Sequence, residues 1–375
     1  MIDWPALQSA FEMLFSSASP WLVVVPGILI GLVFGAIPGL QISMAMAIFL
    51  PMTLYLNFMQ AMLFLTAIFT GGSFGGSIPA ILMNIPGTSS AIATAFDGYP
   101  MSRKGEHNLA LGIALGASCI GVIVGYSILL LLIGPISEIV LKVGPAEMSV
   151  VILWGITLIG SLSSGSLLKG VISGLIGLLV GTIGYSEAGV ARGTMGSVHL
   201  LDGVPVIPAM IGMFAASELF RLVRTRYLVE DSAARKVSVR VIFSGFRMAF
   251  SYPWIVLRGS LIGVFVGAVP GVGSSVANLL SYMITKKSDP DPDSFGKGNP
   301  SGVIASEAAN STSEAGSMAT LLALGIPGGG ATAVMLAAFA MHNITGGPQF
   351  IREQTDVVYA IIIANFGQAF LLIAL

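Results

Sequence analysis

Charge is what this sequence has least of. Asp, Glu, Lys and Arg together make up 9% of the 375 residues, against about 25% in an ordinary soluble domain. That is too little to cover a water-facing surface and excludes a free-standing soluble globule. Cysteine occurs once, at Cys119, which excludes an intrachain disulfide; nothing beside it suggests a metal site, and it reads as a small packing residue. Histidine is almost as rare, and His107, His199 and His342 lie far apart in the chain. No Ser/His/Asp set or metal-ligand spacing accompanies them, so an intramembrane enzyme has no catalytic constellation to stand on. The opening residues 1–20 lack a basic n-region, which argues against a cleaved signal peptide.

Apolar residues are abundant, at 55% of the chain, and the mean hydropathy is +0.90. They form continuous runs of about 18 or more residues, the pattern of an all-α polytopic membrane protein. A β-barrel fits poorly, because its strands alternate. The expected helical segments are 21–37, 39–56, 61–85, 88–96, 108–134, 147–162, 167–185, 203–224, 252–269, 272–285, 302–325, 329–342 and 356–375. Trp4, Phe11, Leu14 and Phe15 fit a short helix at the membrane interface. Gly (47) and Pro (19) are numerous for buried helices. In lipid such breakers survive only where neighbouring helices or a wet cavity satisfy the freed backbone groups.

The main organisational feature is an internal repeat. "GLVFGAIPGLQISMA" at 31–45 aligns with "GVFVGAVPGVGSSVA" at 263–277, an offset of 232. "MNIPGTSS" at 83–90 aligns with "LGIPGGGA" at 324–331, an offset of 241 that pairs Pro86 with Pro327 and Gly87 with Gly328. Eight of the 17 Lys and Arg lie between Arg221 and Arg258, which assigns that stretch to the cytoplasm. Basic charge then swaps between equivalent loops. Residues 55–60 carry none, whereas the partner loop holds Lys286, Lys287 and Lys297; Arg103 and Lys104 follow the first IPG, whereas Arg352 is offset by Glu353 and Asp356 after the second. The swap favours inverted over parallel repeats. The expected organisation is an interfacial helix at 1–20, repeat 1 at 21–107, middle spans at 108–224, a cytoplasmic basic loop at 225–251 and repeat 2 at 252–375. "ANFGQAFLLIAL" (364–375) stops inside an apolar segment, so the natural chain is expected to continue past Leu375.

Each IPG ends one helix at mid-depth and starts another, because Pro removes a backbone donor and Gly permits unusual angles. The new helix begins with free amides and a partial positive charge, which receives an anion without a buried Lys or Arg. Paired broken helices also point to a transporter site near the midplane. Scattered glycines such as "GLIGLLVG" (174–181) read as close helix packing. The candidate anion-binding residues are therefore Pro86, Gly87, Thr88 and Ser89 at the first break and Pro327, Gly328, Gly329 and Gly330 at the second. The PG pairs at Pro38–Gly39 and Pro270–Gly271 are either tight turns or face the same cavity, with Gln41, Ser274 and Ser275.

"SEAANSTSEAGS" (306–317) brings Glu307, Asn310 and Ser311 onto one helical face. With Asn84 they make a candidate site for a hard cation or a proton, Na+ being the one metal ion considered. The alternative for Glu307 is a helix end touching water. Glu314 is deeper, where burial demands a partner or a proton. Asp97 either caps a helix or lies at the inner interface, and "DPDPD" (289–293) reads as a solvated linker.

"GLVFGAIPGL" (31–40), "GGSFGGSIPAILMNIPGTSSAIATAFDGYPMSRKGE" (71–106), "EAAN" (307–310) and "LALGIPGGGATAVMLAAFAMHNITGGP" (322–348) together resemble the large membrane subunit of the tripartite tricarboxylate transporters. The resemblance implies bacterial secondary uptake of carboxylates such as citrate by cation symport. It also implies a small membrane subunit and a periplasmic solute-binding protein as partners in the inner membrane. Two departures fall at the expected site: "EAANSTSE", where the family tends to read "EAANNA", and Gly329, where a Ser is common. The expectation is thus a carrier of a small carboxylate coupled to Na+ or H+, with no cofactor and no nucleic-acid partner, working by an elevator-type movement against the middle spans. A passive anion channel or pore on the same repeats is the alternative.

Overall fold

A computed structural model describes residues 3–140, 150, 167–185, 190–201, 203–204, 237–270 and 272–375. The expected spans at 147–162 and 203–224 lie almost wholly outside the described residues, as do Gly271 and residues 225–236 of the basic loop. The described chain is helical: α1 (Trp4–Phe15), α2 (Ser19–Ala36), α3 (Ile42–Phe49), α4 (Phe58–Gly75), α5 (Ser77–Met83), α6 (Ile92–Arg103), α7 (His107–Val140), α8 (Leu167–Gly181), α9 (Val239–Ala249), α10 (Pro253–Gly267), α11 (Gly273–Ser288), α12 (Pro300–Leu324), α13 (Gly330–Met341), α14 (Pro348–Glu353) and α15 (Thr355–Ala374). Two-residue strands at Gly184–Tyr185 and Ala191–Arg192 pair antiparallel after α8.

Among the described residues, four helices are long and apolar enough to cross a membrane: Ser19–Ala36, Phe58–Met83, His107–Ile136 and Thr355–Ala374. Helices α9 and α10 form a further apolar pair bent by 78°. Such a chain is a multi-pass membrane protein. Helix α12, at 25 residues, is about 37 Å long. Its Ser, Thr, Asn and Glu residues lower its hydropathy, yet it is buried almost from end to end. Polar residues are tolerated there because the other helices shield them from lipid.

The boundaries differ from expectation in instructive ways. The segment 39–56 is split into α3 and a 3-10 turn at Leu50–Tyr55, where Pro51 denies the α-helix its donor. The short helix expected at 88–96 continues through Asp97 to Arg103, with Pro100 inside it. Part of the expected basic loop is helix α9, whose Gly245 lies against Gly112 of α7. Helix α1 buries Ala10 and Leu14 and leaves Trp4, Phe11 and Phe15 exposed.

Close backbone contact sets the packing. Gly31 and Gly35 of α2 lie against the carbonyls of Ile68 and Gly72 on α4, and a side chain at either would collide with them. Gly263 and Gly267 of α10 meet the carbonyls of Ala309 and Ser313 on α12 in the same way. Approach of this kind lets Cα–H groups face carbonyl oxygens, as small residues do between membrane helices.

The N-terminus of α12 is anchored from the other half of the chain. Asp97 is fully buried, and its Oδ1 accepts the backbone N–H groups of Gly296, Gly298 and Asn299, each at 2.8 Å. Its Oδ2 accepts from Tyr282 Oη at 2.9 Å, while Asn299 caps α12 through Ser301. Asp97→Ala leaves three backbone donors without this acceptor. The expected loss is about 3 kcal/mol, read as a lower thermal midpoint of the detergent-solubilised protein. An unchanged midpoint would show that the anchor contributes nothing to stability.

Candidate functional site

The two IPG breaks have the same local form. Helix α5 ends at Asn84 (φ 57°) and α12 at Gly325 (φ 66°), both left-handed. Asn and Gly are the residues that tolerate this conformation at a helix end. After the first break the chain makes a 3-10 turn at Ser89–Ala91 and enters α6; after the second it enters α13 at Gly330. Gly87 N–H donates to Gly76 O at 3.0 Å, and a side chain on Gly87 would strike the Gly35 carbonyl. Gly328 lies correspondingly against Ser317 and the Gly267 carbonyl. Each break is thereby packed against the α2/α4 or α10/α12 contact of its own half.

Each break meets the segment that follows the PG pair of the other half. Ser275 Oγ of α11 donates to Ser89 Oγ at 2.8 Å. On the opposite side Gly330, opening α13, lies against Ser43 of α3. Between these contacts is a cavity of about 630 Å³, within the usual range for small-molecule sites. Gln41, Thr88, Ser89, Ser274, Gly329 and Gly330, all expected from the sequence, line it, together with Ser43, Ser90, Ser275, Ser313, Ser317 and Thr332. Among the described residues, no charged side chain lines it. Gly39, Pro86, Gly87, Pro327 and Gly328 shape the turns around it without being among the lining residues.

Polar supply at the two breaks is asymmetric. Gly329 N–H is held by Thr332 Oγ1 at 2.9 Å, which leaves the next amides of the first turn of α13 without intrahelical partners. At α6 the Ala93 N–H is taken by Asn278 Oδ1 at 2.9 Å, and Thr88 Oγ1 and Ser90 Oγ pair at 2.9 Å. The second break therefore presents backbone amides, the first mainly hydroxyls.

The expected cation residues separate into two groups. Glu307 is fully buried in α12 and accepts from Ser77 Oγ of α5 at 2.7 Å, Ser118 Oγ of α7 at 2.9 Å and Thr94 Oγ1 of α6. Asn310, one turn on, is within reach of the same carboxylate. Its Nδ2 donates to Ser73 O at 3.1 Å, and its buried Oδ1 has no hydrogen-bond partner. Ser311 is buried facing Gly121 of α7. Asn84 is exposed at the end of α5, where its left-handed φ gives Asn a structural reason, and it is not among the groups bonded to Glu307. Ser77, Thr94 and Ser118 were not singled out in the sequence, because single hydroxyls in apolar helices carry no local signal. Ser43 had one: it is the 232-offset counterpart of Ser275.

The sequence matches the tripartite tricarboxylate transporter TctA family over residues 21–375. It is 33% identical over 353 residues, 93% of this chain and 69% of the relative, to an Agrobacterium vitis protein described as an uncharacterized 52.8 kDa protein in the TAR-I ttuC' 3' region. A second Agrobacterium vitis protein, described as uncharacterized in the TAR-II ttuC' 3' region, is 36% identical over 117 residues, covering 31% of this chain and 47% of that protein. No solved structure matches the chain. A helical membrane protein with two interrupted helices around one polar cavity, matched over nearly its whole length, belongs to the tripartite tricarboxylate transporter TctA family.

Proposed function

We propose that the chain is the membrane subunit of a cation-coupled importer of a small carboxylate, with the anion held in the cavity between the two breaks. The observation that carries this reading is the uncharged cavity itself: hydroxyls from both halves and the first-turn amides of α13 surround about 630 Å³. An N-terminal helix end and hydroxyl donors stabilise a carboxylate without a buried cation.

Two inverted repeats explain why the cavity lies where it does. Gly31 and Gly35 recur as Gly263 and Gly267 at the offset of 232, and the carbonyls they touch, of Ile68 and Gly72, recur as Ala309 and Ser313 at the offset of 241. The cross-contacts Ser89–Ser275 and Gly330–Ser43 obey the same two offsets, each half lending its break to the other half's PG segment. That reciprocity supports a pseudo-two-fold relation between the halves.

Glu307 with Ser77, Thr94, Ser118 and Asn310 makes an oxygen-rich cluster suited to a hard cation, and the unpartnered Asn310 Oδ1 supports that use. The cluster shares α12 with Ser313 and Ser317 of the cavity, so the cation and the anion would bias one element. In the full reading a periplasmic binding protein delivers the substrate to the bacterial inner membrane, where a small membrane subunit completes the carrier. The site-bearing helices then move against the middle spans, of which α7 and α8 are the described helices, in the manner of an elevator.

Uptake by proteoliposomes holding the chain with both partner subunits tests the reading. Saturable uptake of a di- or tricarboxylate that needs the binding protein and an imposed cation gradient is the expected result. Gly330→Val, which pushes a side chain toward Ser43, should raise the substrate KM roughly tenfold, or about 1.4 kcal/mol. Glu307→Gln should weaken the cation's half-saturation by roughly tenfold. Flux that neither saturates nor depends on a cation gradient would overturn the carrier in favour of a pore, and wild-type kinetics in both variants would overturn the residue assignment.

A further inference from the structure

Glu314 is a second acid on α12, two turns beyond Glu307, fully buried and given no task by the transport reading. Its partners among the described residues are neutral. Tyr126 Oη of α7 donates to Oε1 at 2.9 Å, and Thr70 Oγ1 of α4 lies 3.0 Å from Oε1 and 3.1 Å from Oε2. Helix α15 brings Gln368, and α10 approaches the same stretch with Gly267. Tyr126 is the one titratable side chain facing it from these elements.

Counting hydrogens decides the state of this acid. Gln368 Nε2 donates to Thr66 Oγ1 at 2.9 Å and reaches the Leu63 carbonyl at 3.3 Å. A carbonyl oxygen only accepts, so the atom facing Leu63 O must be the amide nitrogen. Gln368 Oε1 is therefore turned to Thr70 Oγ1, at 3.3 Å, and needs a donor there. Thr70 has a single hydroxyl hydrogen. Given to Gln368, it leaves two oxygens facing each other at the Glu314 contact unless Glu314 itself carries a hydrogen. With Glu314 protonated, one directed chain satisfies every member: Tyr126 to Glu314, Glu314 to Thr70, Thr70 to Gln368, Gln368 to Thr66, and Thr66 to Leu63 O at 3.1 Å. With Glu314 ionised, Gln368 Oε1 loses its donor and a negative charge stays buried without a cation, the costlier arrangement. Glu307 differs, because Ser77, Thr94 and Ser118 each supply it with a hydroxyl hydrogen.

We propose that Glu314 is a proton-binding site of this carrier, separate from the Glu307 cluster, and that it couples transport to a proton gradient. In the conformation described, the acid is neutral and donates from Oε2 to Thr70. When the site opens to water, the O–H bond breaks, the proton leaves to that water and the carboxylate keeps the electron pair. Tyr126 is on α7, whereas Thr70 and Gln368 are on α4 and α15, so movement of α12 against α7 breaks one end of the chain and changes the acid's hold on its proton. The proton occupancy is inferred from the hydrogen-bond pattern; its use in coupling rests on the transport reading.

Infrared spectroscopy of the purified protein tests occupancy without any transport. The carbonyl-stretch band of a protonated carboxylic acid should be present at neutral pH in the wild type and in Glu307→Gln, and lost in Glu314→Gln. Wild-type and Glu314→Gln spectra that coincide in this region would overturn the proposal. In proteoliposomes with the partner subunits, Glu314→Gln should lose accumulation driven by a pH gradient while keeping wild-type substrate counterflow. Accumulation equal to wild type, or loss of both activities in a normally assembled variant, would overturn the coupling role. No counterflow in the wild type would sink the carrier reading and the coupling with it, and the infrared band would still decide occupancy.

Discussion

Helix α12 carries two carboxylates through the middle of the protein, and the helices around it are arranged to supply them. Helices α5, α6 and α7 each bring a hydroxyl to Glu307, and α4 and α7 bring Thr70 and Tyr126 to Glu314. A hydrogen bond reaches only about 3 Å, so these partners arrive only if the helix backbones come very close. Glycine on α2, α7 and α10 provides that closeness, with Gly121 and Gly125 of α7 set against Ala308 and Thr312 of α12. The high glycine content is thus tied to the buried acids: small residues let the helices approach, and the approach brings hydroxyl partners within hydrogen-bond reach of both carboxyl groups.

The same closeness ties the cavity to the acids. Ser313 and Ser317 face the cavity from the helix that holds Glu307 and Glu314, and Gly328 is wedged between Ser317 and the Gly267 carbonyl. A shift of α12 alters the cavity wall and the donors to both acids together. Asp97 limits such shifts at one end by fixing the loop that leads into α12. The opposite end is braced by rings, Phe58 of α4 and Phe339 of α13 meeting edge to face with centroids 4.8 Å apart and Phe350 of α14 beside both.

Much of this was legible in the chain because it is written in residues with special backbones. Proline and glycine mark both IPG breaks, and the two sequence offsets pair them, whereas Pro26–Gly27 and Gly134–Pro135, which have no such pairing, lie inside the continuous helices α2 and α7. The left-handed residue that ends each broken helix had a local signal too, Asn84 and Gly325 being the residue types that accept it. What stayed hidden was pairing between distant segments. Tyr126 and Gln368 look like ordinary residues of apolar helices, and only the fold shows that both serve one acid. Asp97 was placed as a cap or an interface residue, but its partners, about 200 positions away, have no signature beyond the glycines of "FGKGN" (295–299). The loop after "DPDPD" is a structural receptor for that aspartate rather than a passive linker.

The missing cation in the cavity has a further consequence for a carrier, which must return with its site empty. At an effective dielectric constant of about 20, a full charge 4 Å from a carboxylate contributes about 4 kcal/mol, and a helix end, equivalent to half a charge, about half of that. A buried lysine or arginine would therefore hold the anion more tightly, but once the anion left it would stand unpaired in a poorly hydrated interior, at a cost of several kcal/mol. Helix amides and serine hydroxyls leave no such debt, since they re-pair with water or with one another, as Ser89 and Ser275 already do. Acids that can take up a proton or a cation fit the same logic, because their charge changes with occupancy instead of remaining fixed. On the proposed reading, an uncharged cavity beside acids that take up a proton or a cation would let loaded and empty states lie close in energy, which a cycling carrier needs more than it needs tight binding.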